Sequence, residues 1–138
     1  MLAAMIPIGT ALQTTGVSSL IATSISTYAS SLSLFWILLI ILIVTMVTTD
    51  IINNAATAVI MAPISTGIAL ELGYAIEPFL MVVAVGASCA FLTPIGHQCN
   101  TVVMGPGNYK FTDYWRMGLP MDILIILASI PIILFVWT

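Results

Sequence analysis

The sequence predicts an all-α integral membrane protein. Of its 138 residues, 61% are hydrophobic and only 5% are charged, and the mean hydropathy is +1.22. A soluble domain carries about 25% charged residues, so this chain is too apolar to maintain a water-exposed surface. Because one helical crossing takes about 20 residues, the length allows about four or five membrane elements.

The charge content also excludes classes of function. With two basic residues in the whole chain, no surface can neutralise phosphates, and we expect no nucleic acid partner. No serine has a base partner and no glycine-rich phosphate loop follows a strand, so we predict that the protein is not an enzyme. The two cysteines, Cys89 and Cys99, lie in or beside an apolar stretch and are predicted to be free thiols.

Residues 1–32 mix apolar residues with glycine, serine and threonine and contain no unbroken apolar run of spanning length. This pattern predicts short helices joined near Thr15 and Gly16. They would be amphipathic helices at the membrane–water interface, or helices packed against other helices. Pro7 interrupts the start and no charged leader precedes it, so a signal peptide is not expected. We expect the chain to be the C-terminal part of a longer protein.

Residues 33–72 predict a helical hairpin with a polar tip at 48–57. A long apolar run is followed by Asp50, Asn53 and Asn54, after which apolarity resumes. The pattern fits two full spans joined by a polar turn, and equally a re-entrant hairpin whose tip is buried in protein. Backbone that leaves the helix at membrane depth is stable only against protein or water.

Residues 76–104 predict a transmembrane helix that is broken partway across, since Pro94 lacks a donor and Gly96 lacks a side chain. A loop is expected at 105–118. It carries both basic residues of the chain, and the positive-inside rule therefore places it in the cytoplasm. Residues 119–138 predict a terminal transmembrane helix.

Two interrupted apolar segments that carry polar residues at similar depth are typical of a transporter site. Broken helices expose half-helix dipoles and free carbonyl groups, which suit anions and hard cations respectively. Oxygen or bare backbone for such a cation would come from Thr49, Asn54, Thr57, Gly96 and Asn100. The alternative is that these small and polar residues only hold membrane helices together.

Two titratable residues in these segments deserve separate hypotheses. We take Asp50 as the carboxylate of the apolar core, where a role in cation or proton coupling is the default expectation. The alternative is that Asp50 caps the helix beginning near Asn53 or accepts bonds from the tip amides. His97 could donate to a substrate anion or make a structural hydrogen bond, and with Cys99 alone it would be a poor metal site.

Three runs of the sequence resemble the divalent anion:sodium symporter family, the citrate-transporter-like permeases of the ion transporter superfamily. Thr49–Ile64 resembles the second hairpin signature of that family, which is of Ser-Asn-Thr type. Ala87–Thr101 resembles its broken helix, and Tyr109–Pro120 resembles the entry to its last helix. The resemblance implies a fold of two inverted repeats, each with a re-entrant hairpin and a broken helix, of which this chain is the second, C-terminal half.

The resemblance also implies site residues. Asn53, Asn54 and Ala55 stand where the family has Ser-Asn-Thr, so only the central asparagine is kept. A sodium site is implied at Thr49, Ile52 (through its carbonyl), Asn54 and Gly96. Substrate binding is implied at Asn53, Asn54, Ala55, Gly96, His97 and Gln98, with a His-Gln pair that could bind a tetrahedral oxyanion as well as a carboxylate.

By this resemblance the chain is expected to be part of a secondary active transporter in the plasma (inner) membrane. It would couple sodium to the symport of sulfate or a di- or tricarboxylate by elevator-type alternating access. Sodium is the expected coupling ion, with no further cofactor. The expected partners are a small anion, the lipid bilayer and the first inverted-repeat half, with a homodimer when complete. Two alternatives stay open: a sodium/proton antiporter or arsenite-type exporter of the same superfamily, and a structural membrane subunit without transport.

Overall fold

The computed structural model describes residues 32–137 and a few isolated positions before them: Pro7, Ala11, Thr14, Thr15, Gly16, Leu20 and Thr23. The short helices predicted for residues 1–32 otherwise lie outside the described residues. Within 32–137 all regular structure is helical. Three of these helices are long and apolar enough to cross a membrane, and the predicted all-α membrane class is thereby confirmed.

Residues 32–137 form five helices, separated by two breaks and two turns. In chain order they are α1 (Leu34–Ile51), α2 (Asn54–Leu72), α3 (Ile76–Ser88), α4 (Gln98–Met104) and α5 (Phe111–Trp137). We call Ile52–Asn53, between α1 and α2, the first break. The irregular residues 89–97, between α3 and α4, are the second break. Whether α1 and α2 form a re-entrant hairpin or two full spans stays a prediction.

Helix α3 lies at the centre of the bundle and packs against α1, α2 and α5. It has 13 residues and is therefore only about 20 Å long, too short to cross a hydrocarbon core of about 30 Å alone. Its Gly86 allows α1 to approach closely, because a Cβ there would lie 2.9 Å from the Cβ of Thr45. Large side chains fill the core around these helices: Leu38, Leu42, Met61, Ile68, Phe79, Val82 and Ile130.

The connection between α2 and α3 is a tight turn at Gly73. Its φ of 71° lies in the left-handed region, where glycine costs least. The N–H of Tyr74 donates to the carbonyl of Ala69 at 2.9 Å, so the last carbonyl groups of α2 are satisfied as in a Schellman motif. The turn brings α3 back against α1 and α2, and this positions the second break beside the first.

The start of α5 differs from the sequence expectation. The expected loop at 105–118 is helical from Phe111 onward, so the terminal helix begins there and not at 119. The carboxylate of Asp113 accepts the N–H of Lys110 at 2.8 Å and satisfies a donor at the helix N-terminus. Pro120, close to the predicted start at 119, therefore lies inside α5.

Many apolar side chains of α1 and α5 face outward. Trp36 and Val47 of α1 are 53% and 51% exposed, and Leu127 and Phe135 of α5 are 71% and 90% exposed. A soluble protein rarely exposes so large an apolar surface. These faces fit contact with lipid tails or with other membrane helices.

Candidate functional site

The first break is stabilised mainly by its own residues. The N–H of Ile52 donates to the carbonyl of Thr48 at 3.0 Å, and the N–H of Thr57 donates to the carbonyl of Asn53 at 3.0 Å. The side chain of Asn53 caps α2, because its Oδ1 accepts the N–H of Ala56 at 2.8 Å. The N–H groups of Asn54 and Ala55, in the first turn of α2, have no acceptor among the described residues. They are therefore available to an anion.

Thr49 connects the first break to α3. Its side chain is fully buried, and the hydroxyl lies 3.0 Å from the Oδ1 of Asn54 and 3.0 Å from the carbonyl of Ala87. One hydroxyl hydrogen serves both acceptors. Oxygen atoms from three helices, α1, α2 and α3, thus meet around one buried hydroxyl group.

The second break is tied to α1 through Asp50. The Oδ1 of Asp50 accepts the N–H of Leu92 at 3.1 Å, and the hydroxyl of Thr93 donates to the carbonyl of Asp50 at 2.7 Å. Asp50 is only 4% exposed. It does not cap α2, because Asn53 does so, and its carboxylate instead satisfies backbone freed by the second break.

Gly96 brings the second break against the end of α1. A Cβ at Gly96 would lie 3.0 Å from the carbonyl oxygen of Thr49, 3.1 Å from the Cα of Asp50 and 2.9 Å from the Cβ of Ala90. Its backbone therefore occupies a space that admits no side chain. The carbonyl groups of Gly96 and Ile52 accept no hydrogen bond from the described residues.

The other predicted site residues lie further out. Ile52 is 44% exposed, and Ala55, His97 and Gln98 are exposed as well. The Nδ1 of His97 accepts the N–H of Cys99 at 3.2 Å. With Nδ1 as an acceptor, a neutral ring carries its proton on Nε2, which is then a donor. The structure thus brings Thr49, Asp50, Asn54 and Gly96 together and leaves the His-Gln pair at their edge.

The sequence predicts Asn100 only as a possible oxygen ligand, yet its amide organises the second break. The Nδ2 of Asn100 donates to the carbonyl of Ala90 at 2.8 Å and to that of Thr93 at 3.2 Å. The hydroxyl of Tyr114, on α5, donates to the backbone carbonyl of Asn100 at 2.7 Å. The sequence signal for this role is an asparagine that follows shortly after the interruption at Pro94 and Gly96.

Asp122 is a second buried carboxylate, so Asp50 is not the only one in the apolar core. Asp122 lies near the start of the terminal helix that the sequence predicts at 119–138, where a carboxylate in an otherwise apolar run is itself a signal. It is 8% exposed. One turn earlier, Gly118 packs so closely on the Phe91 carbonyl that a Cβ would collide with it. Asp50 and Asp122 therefore approach the second break from α1 and α5.

Several buried oxygens in the described part of the chain have no hydrogen-bond partner. They are Asp50 Oδ2, Thr57 Oγ1, Asp122 Oδ1 and Ser129 Oγ. Buried polar atoms are normally paired, so each of these marks a place where an ion, water or another part of a larger protein would be stabilised. Two of the four belong to the carboxylates beside the second break.

Comparison with known proteins places these features in a family context. A family model described as the sodium:sulfate symporter transmembrane region matches residues 1–138. The chain is 37% identical to an uncharacterized transporter of Synechocystis sp. over 99% of its own length and 22% of that relative. It is 28% identical to sodium/sulfate cotransporter 2 of Chlamydomonas reinhardtii, over 59% of this chain and 9% of the relative.

The name of a further relative indicates a different substrate. The sodium-dependent dicarboxylate transporter SdcS of Staphylococcus saprophyticus is 28% identical over 63% of this chain and 17% of its own length. The chain therefore spans between 9% and 22% of the length of these three relatives.

Proposed function

The chain belongs to the sodium:sulfate symporter family, and we propose that it forms one sodium-binding half of a symporter that moves a divalent anion together with sodium. It is a multi-pass membrane protein, which we assign to the plasma membrane. The names of two relatives support sulfate and a dicarboxylate as candidate substrates. A tricarboxylate is a further candidate, which rests on the family resemblance alone. The other inverted-repeat half would come from the same or another polypeptide, and the complete transporter would be a homodimer.

The meeting of Thr49, Asn54 and Gly96 is the observation that carries this proposal. The Thr49 hydroxyl and the Asn54 Oδ1 lie 3.0 Å apart, and the Gly96 backbone packs directly against the Thr49 carbonyl. Neutral hard oxygens of this kind suit a sodium ion. The unpaired carbonyl groups of Gly96 and Ile52 are the further ligands that we assign to it.

The anion site that we propose is formed by the tip of α2 and the edge of the second break. The free N–H groups of Asn54 and Ala55 lie at the positive end of a 19-residue helix, which favours an anion. Asn53, Gly96 and Gln98 complete the proposed set. His97 would donate from Nε2, since its Nδ1 already accepts a local bond.

In this proposal sodium binds first. Its bonds to Thr49 and Asn54 fix the first break against the second, and the anion then meets N–H groups that are already in place. Donors that are already in place lose little conformational entropy when the anion binds. The loaded unit would then cross the membrane by elevator-type movement against the remainder of the transporter.

The test is uptake of labelled sulfate and succinate into proteoliposomes that hold the chain together with a first-repeat partner, with and without a sodium gradient. We expect sodium-driven uptake that Asn54→Ala abolishes. Thr66→Ala is the matched control, because the Thr66 hydroxyl bonds only to carbonyl groups of its own helix, α2. Absence of sodium-driven uptake of either anion, with both halves folded, would contradict the proposal.

A second candidate is a sodium/proton antiporter or an arsenite-type exporter. The burial of Asp50 and Asp122, each with one unpaired oxygen, favours it, because buried carboxylates suit proton or cation exchange. Proton flux driven by an outward sodium gradient, and lost in Asp50→Asn, would distinguish the antiporter from the symporter. A structural subunit would show neither activity.

A further inference from the structure

The second break releases backbone carbonyl groups that a helix would otherwise satisfy. Three of them are satisfied from the residues of α4. Asn100 donates to the carbonyl groups of Ala90 and Thr93, and the hydroxyl of Thr101 donates to that of Pro94 at 2.5 Å. The path of the break is therefore set by side chains that follow it in sequence.

Asn100 closes the break into a loop. Its single amide group binds two carbonyl groups that lie three residues apart, one with each hydrogen. Within the same loop, a Cβ at Gly96 would lie 2.9 Å from the Cβ of Ala90, so the two ends of the loop are in contact. The amide holds the loop in the shape that brings Gly96 against the Thr49 carbonyl.

Thr93 links this loop to α1. Its carbonyl accepts from Asn100, while its hydroxyl donates to the carbonyl of Asp50 at 2.7 Å and accepts the N–H of Gly96 at 3.2 Å. A displacement of the Asn100 amide would therefore move Thr93, and Thr93 would move Gly96. This continuous set of bonds joins Asn100 to the Gly96 backbone.

Tyr114 holds Asn100 from the other side. Its hydroxyl donates to the Asn100 carbonyl at 2.7 Å, and both residues line a cavity of about 430 Å³ between α4 and the start of α5. Because the space on that side is open, the hydrogen bond from Tyr114 is the polar contact that α5 makes with Asn100. The start of α5 thus holds Asn100 through one hydrogen bond.

We propose that Asn100 is a positioning residue for the sodium site: its amide sets the loop so that the Gly96 backbone faces Thr49 and Asn54, and Tyr114 fixes Asn100 from α5. The inference rests on the proposed sodium symport. Asn100 does not touch the ion and acts through Thr93 and Gly96. Weaker sodium binding, with the maximal uptake rate retained, separates this role from simple stabilisation of the fold.

The test uses Asn100→Asp, which keeps the size of the side chain and replaces its donor group with an acceptor. In the two-half proteoliposome assay, we expect the sodium concentration for half-maximal uptake to rise at least about tenfold, because both bonds of the amide are lost and one lost bond to a buried carbonyl alone is worth about that factor. Tyr114→Phe should raise it about twofold to threefold, because the amide itself remains. Ser88→Ala is the control, since the Ser88 hydroxyl bonds only to Ala84 within α3.

A second readout does not depend on transport. Cys99 is exposed and Cys89 is buried, so maleimide in membranes modifies Cys99, which lies in α4 two residues after the loop ends and reports on changes at that end of the loop. We expect sodium to slow this modification in the unsubstituted protein. In Asn100→Asp, the sodium concentration needed for the same slowing should rise by the same factor as in the uptake assay.

The outcomes separate the two proposals. Matching shifts in uptake and in Cys99 modification support the positioning role. An unchanged sodium dependence in Asn100→Asp, with a lower maximal rate or a lower melting temperature, overturns it and leaves the proposed symport intact. If Asn100→Asp does not fold, an unchanged sodium dependence in Tyr114→Phe overturns it. If sodium affects neither readout in the unsubstituted protein, the sodium symport itself fails, and the positioning role fails with it.

Discussion

The first and second breaks interrupt the helices in two different ways. The first break has two residues, Ile52 and Asn53, and its hydrogen bonds link residues three to four positions apart. The second break, residues 89–97, depends on Asp50, 42 residues before Leu92, and on Asn100, ten residues after Ala90. A short break can satisfy its own backbone, whereas a long break needs donors and acceptors from other elements. The second break should therefore be the more sensitive to substitution.

Gly96→Ala should have the largest effect, because the new Cβ would meet the Thr49 carbonyl, the Asp50 Cα and the Ala90 Cβ at 3.1 Å or less. We expect a loss of about 2–3 kcal/mol of stability, as for overpacking in a dense core. Thermal unfolding in detergent measures the change, and sodium-driven uptake should be lost as well. Gly105→Ala is the control, since nothing lies within 4 Å of a Cβ there. Equal melting temperatures for the two variants would show that the second break can relax.

Asp122→Asn should stabilise the protein. It removes a buried carboxylate whose Oδ1 has no hydrogen-bond partner among the described residues and keeps the size of the side chain. We expect a gain of about 1–2 kcal/mol at neutral pH, the scale of removing a buried charge that has no partner. A loss of stability in Asp122→Asn would instead indicate that the carboxylate of Asp122 is paired with a cation.

Asn53→Ala tests the first break. It removes the cap on the Ala56 N–H, for which we expect a cost of about 1 kcal/mol. Asn53→Asp, which keeps the accepting oxygen, should recover most of the lost melting temperature. If Asn53→Asp is as unstable as Asn53→Ala, the side-chain cap does not stabilise this break.

Thr101→Val should have the smallest effect of the four. It removes one hydrogen bond, to the Pro94 carbonyl, from a residue that is itself exposed, so water can replace part of the lost bond. We expect a cost of about 0.5–1 kcal/mol in chemical denaturation. A cost above that of Asn53→Ala would show that even the outer bonds of the second break are essential.

Much of the fold follows from composition. Long apolar runs predict membrane helices because hydrocarbon tolerates only satisfied backbone, and three such helices lie within residues 32–137. Both breaks fall among residues that interrupt these runs, namely Asn53 in one and Pro94 and Gly96 in the other. The start of α5 could not be predicted, because it depends on the bond from the Lys110 N–H to the Asp113 side chain. A single side-chain bond of this kind leaves no periodic pattern in the sequence, and the same residues could equally form a turn.

The site could be predicted only in part, and the reason is the sequence distance between its members. Thr49 and Asn54 are neighbours in sequence, so their proximity is almost dictated by the turn between α1 and α2. Asp50 and Asp122 meet the second break only because α3 packs between α1, α2 and α5. No local pattern encodes that contact. The Pro/Gly interruption already indicated Gly96, but the roles of Asn100 and Asp122 become visible only once the helices are packed.

The position of Gly118 along α5 bears on how deep the second break would lie in a bilayer. The helix has 27 residues, about 40 Å, which exceeds a hydrocarbon thickness of about 30 Å. Trp115 and Arg116 favour the headgroup level, and Gly118, which packs on the second break, follows Arg116 by only two residues, or about 3 Å. If those side chains are anchored at that level, an ion entering from that side crosses only a few ångströms of low-dielectric material. The electrostatic free energy of bringing an ion to the site would then be small from that face of the membrane and large from the opposite face. The transmembrane voltage would act mostly on the ion's route between the site and the opposite face.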